Sequence, residues 1–100
     1  MKNFEIKKNG NSVIVAISGR LDTLTASQLD KETQNLLDSS EQSLTIDLTN
    51  LSYTSSSGLR CFVRLFNEAK AVGAQFKIEG LQPAIREIFE ITRVSKIFGI

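Results

Sequence analysis

Apolar and polar residues alternate from Phe4 to Lys7, the period of a strand with one buried face. Asn9-Gly10-Asn11 supplies a turn, and Ser12 to Ser18 (SVIVAIS) is a β-branched second strand, so the two should pair as an antiparallel hairpin. Gly19 ends that strand and Arg20-Leu21-Asp22 leads out of it. The rhythm then changes. Ala26, Leu29, Leu36 and Leu37 fit helical spacing, with Thr23 or Thr25 as cap, an end near Leu37 and Asp38-Ser39-Ser40 as the closing turn. Leu44, Ile46 and Leu48 share one side of a third strand, with Thr45 and Asp47 on the other. After Asn50-Leu51-Ser52-Tyr53 and the run Thr54-Ser55-Ser56-Ser57-Gly58 comes a long helix. Leu59, Phe62, Val63, Phe66 and Ala69 mark its stripe, and Gly73 stops it. Phe76 to Glu79 is a fourth strand, and Pro83 opens a third helix carrying Ile85, Ile88 and Phe89.

The order β-β-α-β-α-β-α predicts an α/β fold with a small mixed sheet. Strands two to four, joined through helices, should be parallel with right-handed crossovers, and the first strand antiparallel. Parallel sheets covered on both faces have strands that are apolar throughout. Here Glu5, Lys7, Thr45, Asp47, Lys77 and Glu79 fall on the polar side of their strands. The helices should therefore lie mainly on one face, leaving Thr45, Asp47, Lys77 and Glu79 on a wet one.

Composition narrows the function. One hundred residues are enough for one core, so residues 1–100 are expected to form a single domain. Twelve basic and 11 acidic residues give a net charge of +1, against the strongly basic face of a nucleic-acid binder. Histidine is absent, which removes the usual general base, metal ligand and phosphohistidine. Cys61 stands alone, so there is neither an internal disulfide nor a thiolate cluster for zinc. No signal-peptide core and no membrane-length apolar run is seen, and a cytoplasmic home without membrane insertion is expected. No metal or cofactor is called for.

In an open α/β sheet, functional groups gather beyond the carboxyl ends of the parallel strands. Gly19-Arg20-Leu21-Asp22 and Thr54 to Arg60 both land there, so Asp22 and Ser56 share a rim if their strands are neighbours. The hydroxyl run has two readings. One of its residues caps the helix in any protein; alternatively, a phosphate on Ser56 or Ser57 would be held by the free N–H donors and positive end of the helix. Gly58 would leave room for a partner, and Arg60, four residues beyond Ser56, could reach a phosphate or simply be solvated. Asp22 could be a turn residue. Cys61 should pack as a small apolar residue. No G-x-x-x-x-G-K-[ST], G-x-G-x-x-G or G-x-S-x-G motif occurs, and a serine nucleophile would lack its histidine, so no catalytic residue is assigned.

Ser18-Gly19-Arg20-Leu21-Asp22 resembles the G-x-L-D stretch of STAS domains, found in bacterial anti-sigma-factor antagonists. Ile46-Asp47-Leu48 with Leu51-Ser52-Tyr53-Thr54-Ser55-Ser56-Ser57-Gly58-Leu59 is similar to their D-L … [FY]-x-[DS]-S-[STA]-G-L signature. Pro83-Ala84 with the pattern through Ile97-Phe98 is similar to their last helix and tail. The resemblance implies a protein-binding module, not an enzyme, phosphorylated at Ser56. Family members often carry Asp before the acceptor; Ser55 here makes Ser55 and Ser57 rival acceptors. The implied partner is an anti-sigma factor of the histidine-kinase-like ATPase fold, which is both kinase and binding target, with a phosphatase to reset the switch. The binding surface would comprise Asp22, Thr54, Ser55, Ser56, Ser57, Gly58 and Arg60. The alternative is a STAS subunit acting as a constitutive partner of a lipid or anion transporter; a weak hydrolase or nucleotide binder is a third. Many members continue into a final helix, so Val94, Ile97, Phe98 and Ile100 should find cover as a short edge strand or at an interface.

Overall fold

The computed structural model describes residues 3–38 and 42–100. Its elements are β1 (Phe4–Asn9), β2 (Ser12–Leu21), α1 (Thr23–Glu32), β3 (Ser43–Thr54), α2 (Ser56–Val72), β4 (Gln75–Glu79), α3 (Pro83–Ile91) and α4 (Val94–Phe98). The sheet runs β1-β2-β3-β4 in space, with β1 antiparallel to β2 and the other pairs parallel. Chain order equals spatial order, so successive right-handed crossovers step the same way across the sheet and put their helices on the same face. The predicted α/β architecture and its one-sided helices are observed.

The core lies between that face and the helices. Phe4, Val13, Val15, Ile17, Leu44, Ile46 and Leu48 point from the sheet towards Ala26 and Leu29 of α1, Leu59, Phe62, Leu65 and Ala69 of α2, and Ile85 and Phe89 of α3, all buried. Leu65 joins the predicted stripe of α2, while Val63 and Phe66 are only half-buried. Cys61 is 3% exposed and packs as an apolar residue, and burial pushes its thiol pKa up.

Four elements differ from expectation. Asp22, not Thr23 or Thr25, caps α1: its side chain accepts from the Thr25 amide (3.0 Å), and its own amide donates to Thr25 Oγ1 (2.9 Å). The same helix ends at Glu32 rather than near Leu37. The Thr33 hydroxyl donates back to the Leu29 carbonyl (2.7 Å), and Asn35 turns left-handed at φ 57°. Leu36 is still buried, as an anchor outside the helix. Of the expected closing turn, Ser39 and Ser40 lie outside the described residues. Third, β2 and β3 run further than Ser18 and Leu48, because a register shift after Ala16 and left-handed Gly19 (φ 69°) let pairing resume as far as Leu21 with Thr54. Fourth, Val94 to Phe98 form α4 instead of an edge strand. Phe98 closes a ring cluster with Phe66, Phe76 and Phe89 at centroid distances of 5.4, 5.1 and 5.9 Å. Ile97 and Ile100 remain about half exposed.

On the open sheet face Lys77 and Glu79 are exposed and Asp47 is half-buried, as the alternation predicts. Thr45 is the exception at 9% exposure. It lies on a central strand with Ile14 and Lys77 as its register partners on either side, and cross-strand neighbours on one face shield each other from water.

Candidate functional site

The end of β2 and the end of β3 are neighbours, with Leu21 opposite Thr54. The residue after each is the N-cap of a helix: Asp22 for α1 and Ser55 for α2. The Ser55 amide donates to the Leu21 carbonyl at 2.8 Å, which fixes the two caps side by side. The rim expected from the strand order therefore exists, and it consists of two adjacent helix N-termini.

The four hydroxyls of the run have four different surroundings. Thr54 is 4% exposed, and its Oγ1 donates to the Ser55 carbonyl at 3.2 Å. Ser55 caps α2: its Oγ accepts from the Gly58 amide at 3.3 Å. Ser56 is the first helical residue and is exposed. Ser57 is half-buried and lines a groove of about 350 Å³ between α1 and α2, together with Thr23, Ser27, Asp30, Arg60 and Arg64. One serine thus does the capping that local physics demands, and the next presents its hydroxyl to solvent.

Gly58 does not serve as expected. It is buried, and a Cβ there would overlap Thr54 Oγ1 and come within 2.7 Å of Leu21 Cδ2. The missing side chain lets the first turn of α2 settle onto the ends of β2 and β3, so the space belongs to the chain's own packing and not to a visitor. Gly58 and Thr54 shape the rim from beneath, whereas Ser56 and Arg60 are its exposed members.

The electrostatics of the two helix ends differ. Asp22 places a carboxylate at the N-terminus of α1, and hydrogen bonds, first from the Thr25 amide and then from its hydroxyl, hold its pKa below the usual carboxylate value. No acidic residue occupies the first turn of α2, whose own cap and opening residues carry neutral hydroxyls. Arg60 is exposed on the same helical face as Ser56, one turn on. The chemistry available is anion recognition by a helix end and a nearby guanidinium, with nothing to activate a nucleophile.

Three residues that flank this rim lie outside the binding surface expected from the sequence. Arg20 stacks over the Tyr53 ring at 4.1 Å from its centroid, and Tyr53 is 36% exposed. Leu24, in the first turn of α1, is 69% exposed. Its only signal in the sequence is that it falls out of step with Ala26 and Leu29. Arg64 joins α1 to α2, with Nε donating to Asp30 Oδ1 at 2.6 Å, Nη2 to Thr33 Oγ1 and Nη1 to Glu68 Oε1 at 2.7 Å.

The pattern of the family described as STAS domain matches residues 3–100. The chain is 33% identical to the "Anti-sigma-B factor antagonist" of Bacillus subtilis (strain 168), over 98% of this chain and 89% of that protein. Among solved structures, an anti-sigma factor antagonist from Mycobacterium paratuberculosis superposes with a TM-score of 0.81 at 24% identity, covering 95% of this chain and 80% of that one. SpoIIAA, a Bacillus cell fate determinant solved in its phosphorylated form, gives 0.75 at 18% identity, with 93% and 86% covered. At these identities the two structures speak for the fold. No helix among the described residues is long and apolar enough to cross a membrane.

Proposed function

Because the chain belongs to the STAS domain family, we propose that it is an anti-sigma-factor antagonist whose rim at the N-termini of α1 and α2 binds an anti-sigma factor. Phosphorylation of Ser56 releases that partner. The carrying observation is the division of labour among the serines: Ser55 is committed to its cap, Ser57 is half-buried in the groove, and Ser56 alone of the three is exposed. A relative of known fold has been solved in a phosphorylated form, which supports the same reading.

The physics of the switch follows from position. A phosphate brings about −1.5 to −2 charge to a helix N-terminus, where free N–H groups stabilise it, so the chain tolerates the modification. The partner, fitted to a small hydroxyl, meets bulk and charge that must be desolvated and that it repels. A loss of about 2.7 kcal/mol weakens binding roughly a hundredfold, enough for a switch. The partner is an anti-sigma factor of the histidine-kinase-like ATPase fold that supplies the ATP and acts as kinase; a separate phosphatase restores the hydroxyl. Both act in the cytoplasm.

The test is intact mass of the chain from its native cell, before and after phosphatase treatment, followed by phosphopeptide mapping. The expected result is one phosphate on Ser56. Ser56→Ala should stay bound to the partner and Ser56→Asp should bind weakly. Label on Ser55 or Ser57 moves the acceptor. No label, with a membrane complex captured instead of a soluble ATPase, replaces the switch by constitutive docking.

A further inference from the structure

The open face of the sheet carries an ordered charge pattern that the rim does not use. Across the four strands, Lys7, Ile14, Thr45 and Lys77 are successive Cα partners and form one row. Two residues away along every strand, Glu5, Ala16, Asp47 and Glu79 form the next row. Side chains two apart share a face, so both rows stand on the side away from the helices. One row is basic at both ends and the other acidic at both ends. Beyond them lie neutral rows: Asn9, Ser12, Ser43 and Gln75 on one side, Ser18 with Asn50 on the other. Lys7, Glu5, Lys77 and Glu79 are all exposed. The Lys7–Glu5 contact within β1 is 3.5 Å long with both side chains about 70% exposed, so it contributes little and leaves both charges available.

We propose that this face is a self-complementary interface through which two copies of the chain associate. A two-fold axis lying in the face, across the strands and between the two charged rows, lays each basic row over the acidic row of the second copy. Lys7 then meets Glu5 of the second copy, Lys77 meets Glu79, half-buried Ile14 meets Ala16, and Asp47 falls over the buried Thr45, every pairing occurring twice as an isologous pair requires. The neutral rows likewise fall on one another. Rows about 6.6 Å apart and about 14 Å long fit the aligned packing of two sheets at roughly 10 Å separation. The patch is smaller than a standard interface of about 1,600 Å², so the pair is weak and forms at high concentration. It leaves both rims free, pointing in opposite directions, and is independent of the switch at Ser56.

Sedimentation equilibrium of the whole chain into the millimolar range, at low and at high salt, reads the association without any variant. The expected result is a mass rising towards the dimer at low salt and falling back as salt screens the rows. Amide shifts on dilution should map to Ile14, Ala16 and Thr45, not to Ser56. Lys7→Glu/Lys77→Glu and Glu5→Lys/Glu79→Lys should each lose at least about tenfold in self-affinity while keeping wild-type circular dichroism. Their equimolar mixture should regain association with shifts on the same residues, since one carries two acidic rows and the other two basic ones. A wild-type chain that stays monomeric, shifts that map to the rim, or a mixture that does not associate would each overturn the proposal.

Discussion

Ser55 and Ser56 are adjacent and chemically identical, yet their substitutions should have separable effects. Replacing Ser55 by Ala removes the acceptor for the Gly58 amide and should cost about 1 kcal/mol of stability in a urea titration. The Ser56→Ala change touches no hydrogen bond of α2 and should stay within about 0.5 kcal/mol of wild type, so any loss of regulation there is not a loss of fold. Gly58→Ala is the harsher test. Its Cβ has nowhere to go between Thr54 and Leu21, and about 1–3 kcal/mol of destabilisation is expected. Thr54→Ala in the same chain should return part of that loss, because it removes the overlapping Oγ1. Additive costs in that double variant would mean that the overlap is relieved by backbone movement instead.

At the scale of elements, α1 is held less by its own sequence than by Arg64. Only Ala26 and Leu29 of α1 are buried, whereas Arg64 of α2 reaches both Asp30 and the buried Thr33. Arg64→Ala should therefore cost about 2 kcal/mol and raise hydrogen exchange in the last turn of α1 before the rest. Arg64→Lys should rescue little, since one ammonium cannot serve both ends of a planar fork. This tie explains what the periodicity missed. Leu36 and Leu37 continue the apolar spacing, but Thr33 and Asn35 stop the helix locally, and Leu36 reaches the core from an irregular segment. The long strands and α2 were legible because alternation and an apolar stripe report burial directly. The extension of β3 to Thr54 was not, since β3 carries an extra residue against β2 at each of two register shifts, between Asp47 and Asn50 and between Leu51 and Tyr53, and these break its period of two. Val94 to Phe98 reads equally as strand or helix, and only the ring cluster around Phe98 decides.

The whole molecule lacks histidine, and its shifted groups define a pH range. Asp22 and Asp47 have folded pKa values below their ordinary 3.8, the latter through the Thr49 hydroxyl and amide. Their stabilisation is present above the ordinary value and is lost as pH falls through the lowered one. Burial raises Cys61 above its ordinary 9.0, so its contribution is present below that value and is lost as pH rises beyond it. Thermal midpoints should thus form a plateau from about pH 5 to pH 8 that declines on both sides; a step within it would point to a titrating group outside this set. That the ends of β2 and β3 share one rim was legible from strand order, but which serine of the hydroxyl run caps α2 and which is exposed was not. The inward role of Gly58 was not, because a glycine says that space is needed without saying for whom. The unequal charging of the two helix ends has a kinetic consequence. An unmodified α2 terminus, uncompensated by any carboxylate of its own first turn and backed by Arg60, should draw in an acidic partner surface before contact. A phosphate on Ser56, as proposed, would cancel that pull. The proposed switch should then slow encounter as well as shorten residence, and stopped-flow association rates should lose most of their ionic-strength dependence in a chain phosphorylated at Ser56.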